Sequence, residues 1–274
     1  MVAKKVEVKD THPDREQSRR EYQLLLAAFR RLLDIHENGA ERKGAFEDII
    51  TLRASFLVGR VISGLGMDLD RALDILRNHH GSATGRRKQE RGVLAAAVDN
   101  LVDFAAAQEL QVFKELPGTR YADHTGSHEA VFEKYNLTYA AGENMDVLYA
   151  AGIAAWWMTV PENNYITFMT QGDERVRPWH LSHDGLTFLK RDFPPELIPP
   201  IEYGCRCFLV SGGVGPVHAS LGKGKPVRNV NPVFRESLAT GGRIFSPAHP
   251  YFMNLPDETA SAVIKRIKQK MYVR

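Results

Sequence analysis

Five of the fourteen prolines, both cysteines and two of the ten histidines fall between Tyr165 and Val210. So dense a set of turn formers leaves room there for short strands and loops, not for a long helix. Alternation predicts strands at Tyr165–Thr170, Leu186–Leu189 and Cys205–Val210, with a proline-rich loop over Phe193–Pro200. The chain on either side reads differently, so this window organises the rest.

Ahead of it, apolar spacing near 3.6 predicts a helical body over residues 1–126. Thr11-His12-Pro13-Asp14 supplies a hydroxyl cap, an early proline and a first-turn acid. Leu25, Phe29, Leu32 and Leu33 then share one face as far as about His36. Further helices are expected over Gly44–Ser63, from Asp68 through Leu76, and over Arg91–Leu116, where Pro117-Gly118 stops the pattern. A module over 127–210 should open with two helices, Glu129–Gly142 and Asn144–Met158, split at Gly142, and Trp156-Trp157-Met158 reads as a core or interface anchor. Residues 211–274 should form an extended glycine-rich arm. It closes in a helix after Pro256-Asp257-Glu258, with Ala260, Val263, Ile264, Ile267 and Met271 as its apolar stripe. The expected class is α+β: a mostly helical body, a small antiparallel sheet, and a basic arm ending in a helix.

The net charge of +3 conceals an asymmetry, because residues 211–274 hold ten Lys/Arg against Glu236, Asp257 and Glu258. A basic end on a mildly acidic body points to a polyanion or an acidic protein surface. Lys223, Lys225, Arg228, Lys265, Arg266, Lys268 and Lys270 are the candidate DNA- or partner-binding residues. The glycines make neither a phosphate loop, since Lys223 is followed by Gly224, nor a dinucleotide fingerprint, since His218 stands where a third glycine belongs. No apolar run reaches the roughly 18 residues of a membrane span. The N-terminal residues lack the apolar core of a signal peptide, so an unsecreted protein without membrane contact is expected. His79-His80 lies in a polar loop without nearby Cys or carboxylate partners.

Cys205 and Cys207, placed on one strand, would point both sulfurs to the same face, where they could supply half of a tetrahedral zinc site. His180, with His183 or Asp184, is the expected complement; the alternative is that both cysteines are small buried fillers. Asp173, Arg175, Arg177 and His180 could be catalytic, with histidine as base and arginine as anion clamp. The favoured reading of the same residues is an ion-paired knot that pins an irregular loop. Neither a Gly-x-Ser-x-Gly elbow nor a His-Glu-x-x-His helix is present.

The ordered set Asn136-Leu137-Thr138-Tyr139-Ala140-Ala141-Gly142, an aromatic strand ending in Thr170, Gly172-Asp173-Glu174-Arg175-Val176-Arg177-Pro178, His180, Asp184-Gly185, Pro194-Pro195, Pro199-Pro200 and Cys205-Arg206-Cys207 resembles the phage Mu F-like family of minor head proteins. The resemblance covers roughly residues 127–210; Trp179 and Tyr203-Gly204 depart from the family's usual residues. It implies a non-enzymatic virion protein inside the capsid at the portal vertex, present in the host cytoplasm during assembly. The implied partners are the portal protein, the major capsid protein or scaffold, and packaged double-stranded DNA bound without sequence preference. The competing expectation is a metal-dependent hydrolase or nuclease centred on His180, Asp184, Cys205 and Cys207.

Overall fold

The computed structural model describes residues 12–35, 39–77, 85–212, 230–254 and 258–273. Among them are helices α1 (His12–Asp34), α2 (Gly39–Gly64), α3 (Leu69–Arg77), α4 (Arg86–Glu115), α5 (Thr125–Glu133), α6 (Ala140–Trp157), the single turn α7 (Pro178–Leu181) and α8 (Glu258–Val273). Strands β1 (Tyr165–Met169), β2 (Thr187–Leu189) and β3 (Phe208–Gly212) form one antiparallel sheet in the order β2-β1-β3. Tyr165 stands opposite both Leu189 and Gly212. Ile166, Phe168 and Leu209 are buried, as period-2 alternation requires of a sheet with one covered face. The fold is α+β.

Helix α4 is the centre of the body. Val93, Leu94, Val98, Leu101, Val102, Phe104, Ala106 and Ala107 are buried around most of its circumference, which places it inside the helix layer. Helix α2 packs on both α4 and α6. It meets α6 closely at its end: a Cβ on Gly64 would lie 2.6 Å from Ala151 Cβ and 2.9 Å from the Leu148 carbonyl. Only glycine fits there.

Polar side chains are buried between these helices. Arg53 of α2 donates to Gln108 Oε1 at 2.6 Å, Asn144 Oδ1 at 2.8 Å and Glu143 Oε2 at 3.1 Å. Arg60 reaches Glu21 and Ser18 of α1. Glu109 of α4 is buried, with Asn136 Nδ2 3.3 Å from its Oε2, and burial raises its carboxyl to about 8 against the pull of Arg53. The unfolded chain releases that proton near 4.5, so the folded state holds more protons between the two values and loses stability as pH rises through them. Glu109→Gln is therefore expected to flatten this decline. Between about pH 5 and about pH 9 it should recover up to roughly 4 kcal/mol relative to wild type, read from urea midpoints at both ends.

Residues 230–254 dock on α4 through Asn100, whose Nδ2 donates to the Phe245 carbonyl at 2.8 Å. Its Oδ1 accepts from the N–H groups of Ile244 and Phe245 at 2.9 and 3.1 Å. One buried amide thus replaces a neighbouring strand. Phe245 stacks on Phe104, with ring centroids 4.3 Å apart. Asn100→Ala would strand these backbone groups in the core and is expected to lower stability by about 2–4 kcal/mol in chemical denaturation.

The structure departs from the sequence expectation in several places. The expected break at Gly142 is absent: the chain stays helical from Thr125 to Trp157, with a π-helical segment over Lys134–Tyr139. A solvent-facing glycine inside a helix costs only about 1 kcal/mol, which the buried neighbours Glu143, Asn144 and Val147 outweigh. Helix α4 starts at Arg86 rather than Arg91, where Arg71 and Arg86 both pair with the buried Glu90. The expected extended arm lies, over 213–229, outside the described residues, as do Thr11, His79-His80 and Pro256-Asp257. Residues 230–254 do not extend but pack on the body.

Helix α8 buries Val263 and Ile267 and returns its basic face to the body. Arg266 and Lys270 both hold Glu47, at 2.8 and 2.9 Å, and Lys268 holds Asp103 at 2.8 Å. The hydrogen bond from Arg266, with help from Lys270, keeps Glu47 below the usual carboxylate range. No single helix among the described residues is long and apolar enough to cross a membrane.

Candidate metal centre

The central window folds back on itself through its turns. After β1, Thr170 N–H donates to Asp184 Oδ1 at 2.5 Å, and Gly185, in the left-handed region at φ 76°, donates to the Phe168 carbonyl at 2.8 Å. Between these points Pro178 opens the one-turn α7, which carries His180 inward. Trp179 lies edge-on to the His180 ring, with centroids 4.0 Å apart, so the bulky residue before the histidine fixes its orientation.

The cysteines arrive from the other side. Gly204, at φ 63°, turns the chain so that its N–H meets Asp146 Oδ1 of α6 at 2.9 Å. Tyr149 donates its hydroxyl to the Cys207 carbonyl at 2.5 Å, and Gln171 donates to the Arg206 carbonyl at 3.0 Å. These side chains, with the Cys205 N–H donating to the Glu202 carbonyl at 3.1 Å, hold the backbone of 204–207, and the strand expected from Cys205 begins only at Phe208. The two sulfurs nevertheless face the same histidine. Ligand atoms of His180, Cys205 and Cys207 all lie within 4.8 Å of one another, and all three residues are buried. His180 Nδ1 is 3.1 Å from Cys207 Sγ, while its Nε2 is buried without a partner among the described residues.

The thiols differ sharply. The hydrogen bond from Cys207, aided by His180, holds Cys205 well below the ordinary thiol value. Cys207 is driven up by its hydrogen bond to Cys205, by burial and by the neighbouring charge. The pair accepts one negative charge readily and resists a second. A bound divalent cation is what would let both ionise, and two sulfurs with one imidazole nitrogen suit a borderline-soft ion.

His183 and Asp184, expected beside the cluster, are not in it. His183 Nδ1 lies 3.0 Å from the Trp179 carbonyl, and Asp184 serves the Thr170 N–H. The ion pairs also differ from a local Asp173–Arg175–Arg177 knot. Asp173 is gripped at both oxygens by Arg206, 2.7 Å each, and Arg177 donates to the Tyr203 carbonyl at 2.8 Å. Arg175 adds only its backbone N–H to Asp173 Oδ1. At this exposure solvent screens the Asp173–Arg206 pair, so it sets register more than stability.

Sequence reasoning missed Arg206, Tyr149 and Asp146. Arg206 is visible as the residue between the cysteines, and Asp146 as a second acid in an alanine-rich helix, three residues after Glu143. Burial raises Asp146 well above the ordinary carboxyl range, only partly offset by the Gly204 N–H.

No family model matches the chain. Over 148 residues, 51% of its length, the chain is 32% identical to an uncharacterized protein of Methanocaldococcus jannaschii. That match spans 21% of the archaeal protein, so the chain covers about a fifth of this relative. No solved structure matches.

Proposed function

We propose that the chain is a minor head protein of a tailed-phage particle, working at the portal vertex. In this reading His180, Cys205 and Cys207 form a structural zinc clasp that closes the central window onto α6. The observation that carries the clasp is the convergence of three buried donors beside almost no free space. The cavity touching His180 and Cys207 measures about 20 Å³, room for roughly one water or ion and for no substrate. When bound, zinc would neutralise the thiolates and stabilise the fold; the chain's part is to present the donors and exclude solvent.

One observation favours the metal-dependent hydrolase or nuclease instead. Three donors among the described residues, rather than four, is the count of a catalytic zinc site with an open position. The size of the cavity argues against that reading, as does Asp184, already engaged by Thr170.

The assembly role is supported by the ordered residues shared with Mu F-like minor head proteins. Its test is co-expression with the portal protein of the same phage genome, where a complex that survives size-exclusion chromatography is expected. Separate elution, or DNA cleavage lost in His180→Ala, would reverse the ranking.

Sequence-independent DNA contact is part of the same proposal. With Arg266, Lys268 and Lys270 committed to α2 and α4, DNA falls to Lys223, Lys225, Arg228 and the exposed Lys265. Neutralising these four is expected to flatten the slope of log affinity against log salt by about 0.9 for each phosphate no longer neutralised, read by anisotropy of a labelled duplex. Neutralising Arg266, Lys268 and Lys270 should instead lower the melting temperature.

A further inference from the structure

A cleft of about 610 Å³ opens between α6, the π-helical segment before it and residues 249–253. None of the metal-ligand residues lines it, although Gly204 borders both this cleft and the small cavity beside the cluster. Tyr135, Tyr139, Tyr203, Tyr251 and His249 contribute to its walls. The Tyr135 and Tyr139 rings meet at 86° with centroids 5.5 Å apart, and Tyr135 and Tyr251 at 59° and 5.7 Å, so successive rings turn corners as in a box. Asp146 lines the same cleft. It is 2% exposed, and while its Oδ1 accepts from Gly204, its Oδ2 has no partner among the described residues.

Burial pushes the Asp146 carboxyl well above its ordinary range, toward the neutral form, and a cation beside its Oδ2 is what would let it ionise. Glu143, also in the wall, is matched by Arg53 and capped by the Tyr251 hydroxyl at 2.7 Å. Burial holds His249 at about 4, so it adds no positive charge at neutral pH. Lys134 Nζ lies 4.9 and 5.8 Å from the Tyr135 and Tyr139 centroids, and its charge is taken by Glu115 at 2.7 Å. One alkylammonium of the chain itself thus already lies close to these rings.

We propose that this cleft binds a primary alkylammonium group, held by the tyrosine box and by Asp146 Oδ2. Aromatic walls attract an organic cation through the ring quadrupole, and the cation in turn favours the charged form of the buried acid beside it. A bare metal ion would need more oxygen donors and far less room. The group could be the end of a free polyamine or a lysine side chain of a partner; both present the same chemistry.

The test is calorimetric titration of the purified full chain with n-pentylamine, with 1-pentanol as the neutral match. The amine is expected to bind at least about tenfold more tightly than the alcohol. Asp146→Asn keeps an acceptor for Gly204 and should lower amine affinity about tenfold, leaving the alcohol unchanged. Tyr139→Ala, at the exposed rim, should weaken amine binding without moving the melting temperature, and it carries the test should Asp146→Asn fail to fold. Tighter binding of spermidine than of Nα-acetyl-lysine amide, or the reverse, supports the site and identifies the source. Equal affinity for amine and alcohol, no binding of the amine, or amine binding unaltered in folded Asp146→Asn overturns the proposal.

Discussion

Arg53→Ala is expected to destabilise the chain by about 3–5 kcal/mol, the usual cost of removing one partner of a buried ion pair. Arg53 is 1% exposed and joins three helices: it sits on α2 and donates to Gln108 on α4 and to Asn144 and Glu143 on α6. Truncation leaves the Glu143 carboxylate in the core without its countercharge and strands the two amides. A domain has only about 5–15 kcal/mol in total, so the variant should unfold at a much lower denaturant concentration. The paired variant Arg53→Met with Glu143→Gln is the informative control. Replacing both charges by neutral groups of similar volume is often close to neutral, so much of the loss should return. A single variant within about 1 kcal/mol of wild type would show that the network does not hold the helices together.

Metal removal is expected to have the second largest effect. A ligand that binds only the folded state at about 100 to 1,000 times its dissociation constant stabilises by roughly 3–4 kcal/mol. For a chain of this length that corresponds to a fall of about 5–15 °C in melting temperature on chelation. Cys205→Ser/Cys207→Ser should melt near the chelated wild type and ignore the chelator. The metal contribution should also fade as pH drops, because protons compete for the thiolates and the imidazole.

The helices of the body are legible in the sequence because their apolar faces repeat locally. Leu25, Phe29 and Leu32 in α1, and Leu94, Val98 and Leu101 in α4, announce buried stripes with no reference to the rest of the chain. The short strands are legible from alternation, and the proline-rich window from its turn formers. The buried polar layer is not. Arg53 meets partners 55 to 91 residues away, and nothing local distinguishes it from a surface arginine. Asn100 is a similar case, since its role exists only once residues 244–245 arrive 144 and 145 positions later.

The candidate site is half legible. His180, Cys205 and Cys207 stand out by donor type, and the fold does bring them together. Sequence alone suggests a strand that places two sulfurs on one face. The fold reaches the same result in a loop, because Asp146, Tyr149 and Gln171 hold its backbone in place of a neighbouring strand. The basic face of α8 shows the opposite failure. Its charges are visible, but their partners Glu47 and Asp103 belong to distant helices, so a face available to DNA cannot be told from one spent on the body.

The measurement that bears most directly on the clasp is elemental metal content of the purified, untagged chain beside Cys205→Ser/Cys207→Ser. The account predicts one zinc per chain in the wild type and none in the double variant. A wild-type chain without metal, or a double variant that keeps it, would contradict it and leave the central window held by its hydrogen bonds and the Asp173–Arg206 pair alone.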